Sequence, residues 1–146
     1  MRQHKTFWLL LLIFIIASFL RLYQIQEIPP GLYPDEAMNG NNALEALRTR
    51  APEGGFKVYY PENNGREGLF INIQALFLKF FLPFTGNTEP WMLRLPSAIF
   101  GILTVWGLYF LAKELFSKNI ALLASFLLAT SFWHIMFSRI GFRAIM

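Results

Sequence analysis

The sequence contains no cysteine. Disulfides, thiolate zinc sites and thiol nucleophiles are therefore excluded. Charge is scarce as well. Asp, Glu, Lys and Arg make up only 15% of the 146 residues, where a soluble domain carries about 25%. No acidic residue follows Glu114, and no Gly-rich phosphate loop, internal repeat or low-complexity segment is present. The two histidines, His4 and His134, give a metal site little to draw on. Together these shortages argue against an ordinary cytosolic enzyme and against a disordered tail.

What the chain has in abundance is apolar surface. It is 55% hydrophobic and 17% aromatic, with a mean hydropathy of +0.40. The net charge is +4, from 13 basic and 9 acidic residues. The basic excess gathers at the ends of apolar runs, which marks membrane topology and not nucleic-acid binding. Three runs read as spans, at about 7–25, 93–112 and 119–137. The first is too long for a signal peptide and lacks a small-residue cleavage site. Arg21, near its exit end, is expected to snorkel to the interface. In the third, Ala121, Ser125 and Ala129 form a small-residue stripe suited to close helix packing. Ser97, Ser131 and Ser138 read as packing or backbone-bonding residues.

Between the first two spans, residues 26–90 form a loop rich in turn formers. A helix is expected from Asp35 to Arg50, with Ala37, Gly40, Leu44, Leu47 and Ala51 on one face. The segment 69–84 is apolar but contains Asn72, Gln74 and Lys79. At 1.5 Å per residue it reaches ~24 Å, short of a ~30 Å hydrocarbon core. It therefore reads as a helix lying in the interface. The N-terminus and the 113–118 turn then share the side holding Arg2, Lys5, Lys113 and Lys118, as the positive-inside rule prefers. The loop 26–90 and the end of the third span face outward. The expected class is an all-α integral membrane protein with three transmembrane helices and an outer loop of amphipathic juxtamembrane helices.

Candidate chemistry collects on the outer face. Asp35 and Glu36 follow a stiff Pro29-Pro30-Gly31 break and Pro34. Acidic residues there suit a helix start. They also suit a general base at the membrane surface, able to deprotonate an acceptor hydroxyl. Neighbours on a helix differ by ~100°, so one can act while the other is structural. Arg66 precedes the interfacial helix. Arg139 and Arg143, four apart, share a face if helix continues past the third span. Both stand against the positive-inside trend. Guanidinium groups suit phosphate, and lipid headgroup contact is the alternative.

These stretches resemble a known family. Ile28-Pro29-Pro30-Gly31-Leu32-Tyr33-Pro34-Asp35-Glu36-Ala37 is similar to the first outer loop of polyprenyl-phosphate-sugar-dependent glycosyltransferases. The relatives are protein O-mannosyltransferases and aminoarabinose transferases of the GT-C superfamily. The likeness continues through Arg94-Leu95-Pro96-Ser97-Ala98-Ile99-Phe100-Gly101. It resumes at Phe132-Trp133-His134 and at Phe137-Ser138-Arg139-Ile140-Gly141-Phe142-Arg143. The resemblance implies transfer of a hexosyl or related sugar from a polyprenyl-phosphate donor to an acceptor hydroxyl on a protein, lipid or glycan. Transfer would occur at the outer face of the cytoplasmic membrane. Asp35 matches the catalytic acidic residue, with Glu36 beside it. Arg66 stands near a basic residue of relatives, which prolines often follow; here Glu67-Gly68 follows. Arg139 and Arg143 lie where the second outer loop begins, and with Arg66 are assigned to the donor phosphate. No cofactor, metal site or nucleic-acid partner is implied. Relatives run through many more spans, so residues 1–146 are expected to be the N-terminal part of such an enzyme, inactive alone. The alternatives are a transporter fragment, which predicts ionisable groups within spans, and a small non-enzymatic membrane scaffold.

Overall fold

A computed structural model describes residues 2–48 and 55–142. The all-α expectation holds. The helices are α1 (Arg2–Leu22), α2 (Pro34–Ala46), α3 (Gly68–Thr85), α4 (Pro90–Leu115), α5 (Lys118–Thr130) and α6 (Phe132–Arg139). A two-residue antiparallel ladder, β1 (Tyr59–Tyr60) with β2 (Arg66–Glu67), closes the turn before α3.

α1, α4 and α5 build the apolar bundle. Ile13 and Ala17 of α1 meet Val105 of α4 and Ala129 of α5. Nearer the other end, Tyr109 and Ala112 pack on Ala121. Ala121, Ser125 and Ala129 are all fully buried, so the small-residue stripe is the seam of α5. Ser117 caps α5 by accepting from the Ile120 N–H. The lipid side of the bundle is apolar, with Leu9, Leu12, Leu103, Leu111 and Leu123 exposed.

A second core sits beyond the end of this bundle where α4 begins. Ala43 and Ala46 of α2, Ile71, Ala75 and Leu78 of α3, and Met92 and Leu93 of α4 surround Tyr60. The Tyr60 hydroxyl donates to Asn72 Oδ1 at 2.9 Å, and burial pushes its phenol pKa above the ordinary value.

Several expectations are corrected. The third span is not one helix. α5 and α6 meet at Ser131 with a bend of 56°. Ser131 has extended backbone (φ −63°, ψ 122°), which ends the hydrogen-bond ladder without any proline or glycine. Arg21 does not snorkel outward but is fully buried. The helix expected to reach Arg50 ends at Ala46, while Arg50 and Ala51 lie outside the described residues. Its buried ridge is Glu36, Asn39, Gly40, Ala43 and Ala46, with Asn42 beside it. Polar side chains occupy this ridge because each has a hydrogen-bond partner there. The helix expected over 69–84 runs from Gly68 through Pro83 to Thr85 and ends where Gly86 turns left-handed (φ +74°).

α3 spans 18 residues, or about 27 Å, and by length and composition it qualifies as a membrane span. Its packing is that of a helix laid across a bundle end. A tight antiparallel hairpin with α4 would bring Gln74 beside Gly101. Instead Gln74 Nε2 donates to the carbonyl of Leu93, in the first turn of α4, at 2.9 Å. Phe81 meets Trp91, with ring centroids 4.8 Å apart. α3 therefore crosses the start of α4 and does not run along it.

Candidate active site

Pro34 opens α2, and Asp35 and Glu36 follow in its first turn. About 100° apart on the helix, the two carboxylates meet different surroundings. Glu36 points inward and is 1% exposed. Its Oε1 accepts from Arg94 Nε at 2.8 Å and from the Gly141 N–H at 3.0 Å. Its Oε2 accepts from Arg94 NH2 at 3.3 Å and from the Tyr33 N–H at 3.3 Å. The last bond reaches back over the helix start, as an acidic residue at the third helical position does.

Arg94 was not among the sequence candidates, yet it organises the segment between α1 and α2. It is fully buried. Besides Glu36, it donates to the carbonyls of Ile25 (2.9 Å), Gln26 (3.3 Å) and Pro29 (3.1 Å), and to that of Gly31. The Pro-Pro-Gly break thus gains its fixed shape from a side chain 63 or more residues downstream.

Asp35 points the other way. Its side chain is 47% exposed and its Oδ1 lies 2.7 Å from Arg66 NH2. Arg66, on β2, is held from three sides. NH1 donates to Asn39 Oδ1 at 3.3 Å, Asn63 Nδ2 shares that acceptor at 2.9 Å, and the guanidinium lies 5.8 Å from the Phe142 ring centroid. The structure therefore brings together Asp35 and Arg66, which are 31 positions apart.

Asp35 edges a cleft of about 430 Å³ that Tyr33, Glu36, Trp133, Met136, Ile140 and Phe142 also line, with Arg66 behind the carboxylate. Most of its wall is aromatic or aliphatic, and Asp35 supplies polarity at one end. α6 provides the far wall. Without the bend at Ser131, Trp133 and Met136 would not lie across from Asp35.

Arg139 is placed differently from the expectation that it faces the outer site. It is 6% exposed. NH1 donates to the carbonyl of Leu20 at 2.8 Å, and NH2 to those of Tyr23 (2.6 Å), Gln24 (3.3 Å) and Ile28 (3.0 Å). Leu20 lies in the last turn of α1, where carbonyls lack a helical partner, and the other three follow the helix end at Leu22, so Arg139 both caps α1 and ties down the segment after it. Arg143 lies outside the described residues. The serines act as backbone-bonding groups: Ser138 donates to the carbonyls of His134 and Ile135, and Ser97 to that of Phe142 at 3.4 Å. Among the described residues no three His, Asp or Glu converge as metal ligands.

Residues 73–143 match the family model of the dolichyl-phosphate-mannose-protein mannosyltransferases. The match bears out the GT-C resemblance and supports a membrane glycosyltransferase. The match covers just under half of the 146 residues. It takes in most of α3, all of α4 to α6, Arg94 and Gly141; Asp35 and Arg66 precede it. No curated protein and no solved structure matches the chain. The family match, with several helices apolar enough to cross a bilayer, makes this a multi-pass membrane protein and favours an enzyme over a transporter or scaffold.

Proposed function

We propose that this chain carries the catalytic outer loop of a glycosyltransferase. It moves a hexosyl or related sugar from a polyprenyl-phosphate donor to an acceptor hydroxyl, outside the cytoplasmic membrane. The observation that carries this is Asp35 at the polar end of an otherwise apolar cleft, with Arg66 2.7 Å from its carboxylate. A lipid-linked phosphate needs both surfaces, a cation for its headgroup and an apolar wall for its chain.

The roles follow. The acceptor oxygen attacks the anomeric carbon, its proton passes to Asp35, and the sugar–phosphate bond breaks with the electron pair leaving on phosphate. Arg66 holds that phosphate. Asp35 is half exposed and Arg66 keeps its bond to Asn39, so the phosphate takes the place of Asp35 on the guanidinium and frees the carboxylate. Glu36 holds the loop and does no chemistry. Arg139 acts through the end of α1, and Arg143 is a second phosphate cation on its sequence position.

Arg66→Ala removes one charge-assisted contact, worth roughly 1.5–3 kcal/mol. Binding of polyprenyl phosphate should weaken about 10- to 150-fold, while uncharged polyprenol binds as before. Lysine should restore part of the loss, lacking the planar fork. Equal binding by Arg66→Ala and the parent would remove Arg66 from the donor site.

The crossing of α3 over the start of α4 supports a loop that stays on one side of the membrane. Glu62 and Asn87 flank α3 and are exposed. The absence of native cysteine makes Glu62→Cys and Asn87→Cys clean probes. A membrane-impermeant maleimide should label both from outside. Labelling from opposite sides would make α3 a span and refute this topology.

A further inference from the structure

Arg21 is a fully buried guanidinium near the end of an apolar helix. Such a residue is expensive in a membrane and calls for a function. Its bonds describe one. NH1 donates to Ala17 in its own helix at 3.0 Å and to the Ala129 carbonyl in α5 at 3.1 Å. NH2 reaches the Leu128 carbonyl at 3.4 Å and His134 Nδ1, in α6, at 2.7 Å. Arg21 therefore touches both sides of the break at Ser131.

A helix broken in apolar surroundings leaves carbonyls that water cannot reach, and something in the protein must bond to them. At this break Thr130 Oγ donates to Phe126 and Leu127, and the Ser131 N–H donates to Leu128. Arg21 covers Ala129 and adds to Leu128. Space for it is kept by Gly101 of α4, where a Cβ would lie 3.2 Å from Arg21 Nε and 2.5 Å from Ser138 Cβ. Three helices thus converge on one guanidinium. We infer that Arg21 is a positioning residue, which holds the α5–α6 bend through the Leu128 and Ala129 carbonyls and His134, and so sets the wall of the cleft facing Asp35.

The bend matters because α6 brings Trp133 and Met136 to the cleft. Straightening 56° would carry Phe137, about 9 Å along α6 from Ser131, by about 8 Å. Arg21 does not line the cleft, so it acts through α6 and touches no substrate. Its link to catalysis rests on the assignment of the cleft as the site of transfer; its hold on the bend does not.

Spin labels on introduced cysteines test it in the intact chain without donor. Leu103→Cys on α4 and Leu123→Cys on α5 are exposed, and Phe137→Cys reports α6. Distances from Phe137 to Leu103 and to Leu123 should be narrow in the parent. With Arg21→Ala they should shift or broaden on the scale of that displacement, while the Leu103–Leu123 distance stays fixed. Arg21→Lys keeps the charge but cannot reach both carbonyls and His134, and should give an intermediate result. His134→Ala should broaden the α6 distances alone. If Arg21→Ala fails to enter the membrane, Arg21→Lys and His134→Ala decide by the same criterion. Unchanged α6 distances in the variants that insert would overturn the inference. Loss of transfer in an Asp35 variant bears on the reaction and not on these distances.

Discussion

Replacing Asp35 by Asn should cut sugar transfer by about 10²–10⁴-fold, the usual contribution of a general base. Insertion and folding should be unaffected. Asparagine keeps the size of the side chain and can still accept from Arg66. The measurement is transfer from a polyprenyl-phosphate sugar in membrane vesicles at matched protein levels. Near-normal turnover would take Asp35 out of the mechanism. Donor binding should change little in the same variant, because the carboxylate acts on the acceptor. That separates Asp35 from Arg66, whose loss appears in donor binding.

The largest stability effect is expected one residue along. Glu36 and Arg94 form a buried ion pair, with side chains 1% and 0% exposed. Removing one partner of such a pair costs about 3–5 kcal/mol, because the other charge is left buried and unpaired. That is a large share of the roughly 5–15 kcal/mol that holds a typical domain together. Arg94→Ala and Glu36→Ala should each lower the unfolding midpoint in detergent sharply, while Asp35→Ala stays near the parent. An apolar pair, Glu36→Met with Arg94→Leu, should not restore stability. Arg94 also serves the carbonyls of Ile25, Gln26, Pro29 and Gly31, and no apolar side chain can. Full recovery in the double variant would show that the loop does not depend on those bonds. Adjacent carboxylates would thus differ in kind, one felt in rate and the other in stability.

The helices of the bundle were legible because apolar run length is a direct consequence of bilayer thickness. The small-residue stripe of α5 was legible for a similar reason, since close approach needs small side chains. The Asp35 position could be read from its local context of prolines. Other features lay beyond sequence pattern. The break at Ser131 carries no proline or glycine; the side chain that stabilises it, Arg21, is more than 100 residues upstream. Arg94 looked like an ordinary cation at a span start, and only the fold shows five groups converging on it. The buried ridge of α2 was misread because hydrophobic patterning assumes buried residues are apolar. In this helix Glu36, Asn39 and Asn42 are buried because Arg94, Gly141, Asn63, Arg66 and Glu62 answer them. A lone Arg-to-carbonyl signal is hard to find in one sequence, since the acceptor is backbone and any residue type can provide it.

The seat of Gly141 has a consequence for how the molecule is made. Its N–H donates to Glu36 and its carbonyl accepts from Asn39 Nδ2 at 3.3 Å, one helical turn along α2. A Cβ there would come within 2.9 Å of the Leu93 carbonyl and 3.1 Å of Glu36 Cγ, so a side chain would not fit the slot. On the ribosome, α2 emerges long before either of its fasteners. Glu36 must wait 58 residues for Arg94 and 105 for Gly141. Until then its carboxylate has reason to stay in water. Glu36 thus meets its Arg94 partner well before the Gly141 N–H is made, and the second bond ties α2 to the chain after α6. The order in which α2 is fastened follows the order of the chain, and at Gly141 the fastening group is a backbone N–H on a residue with no side chain.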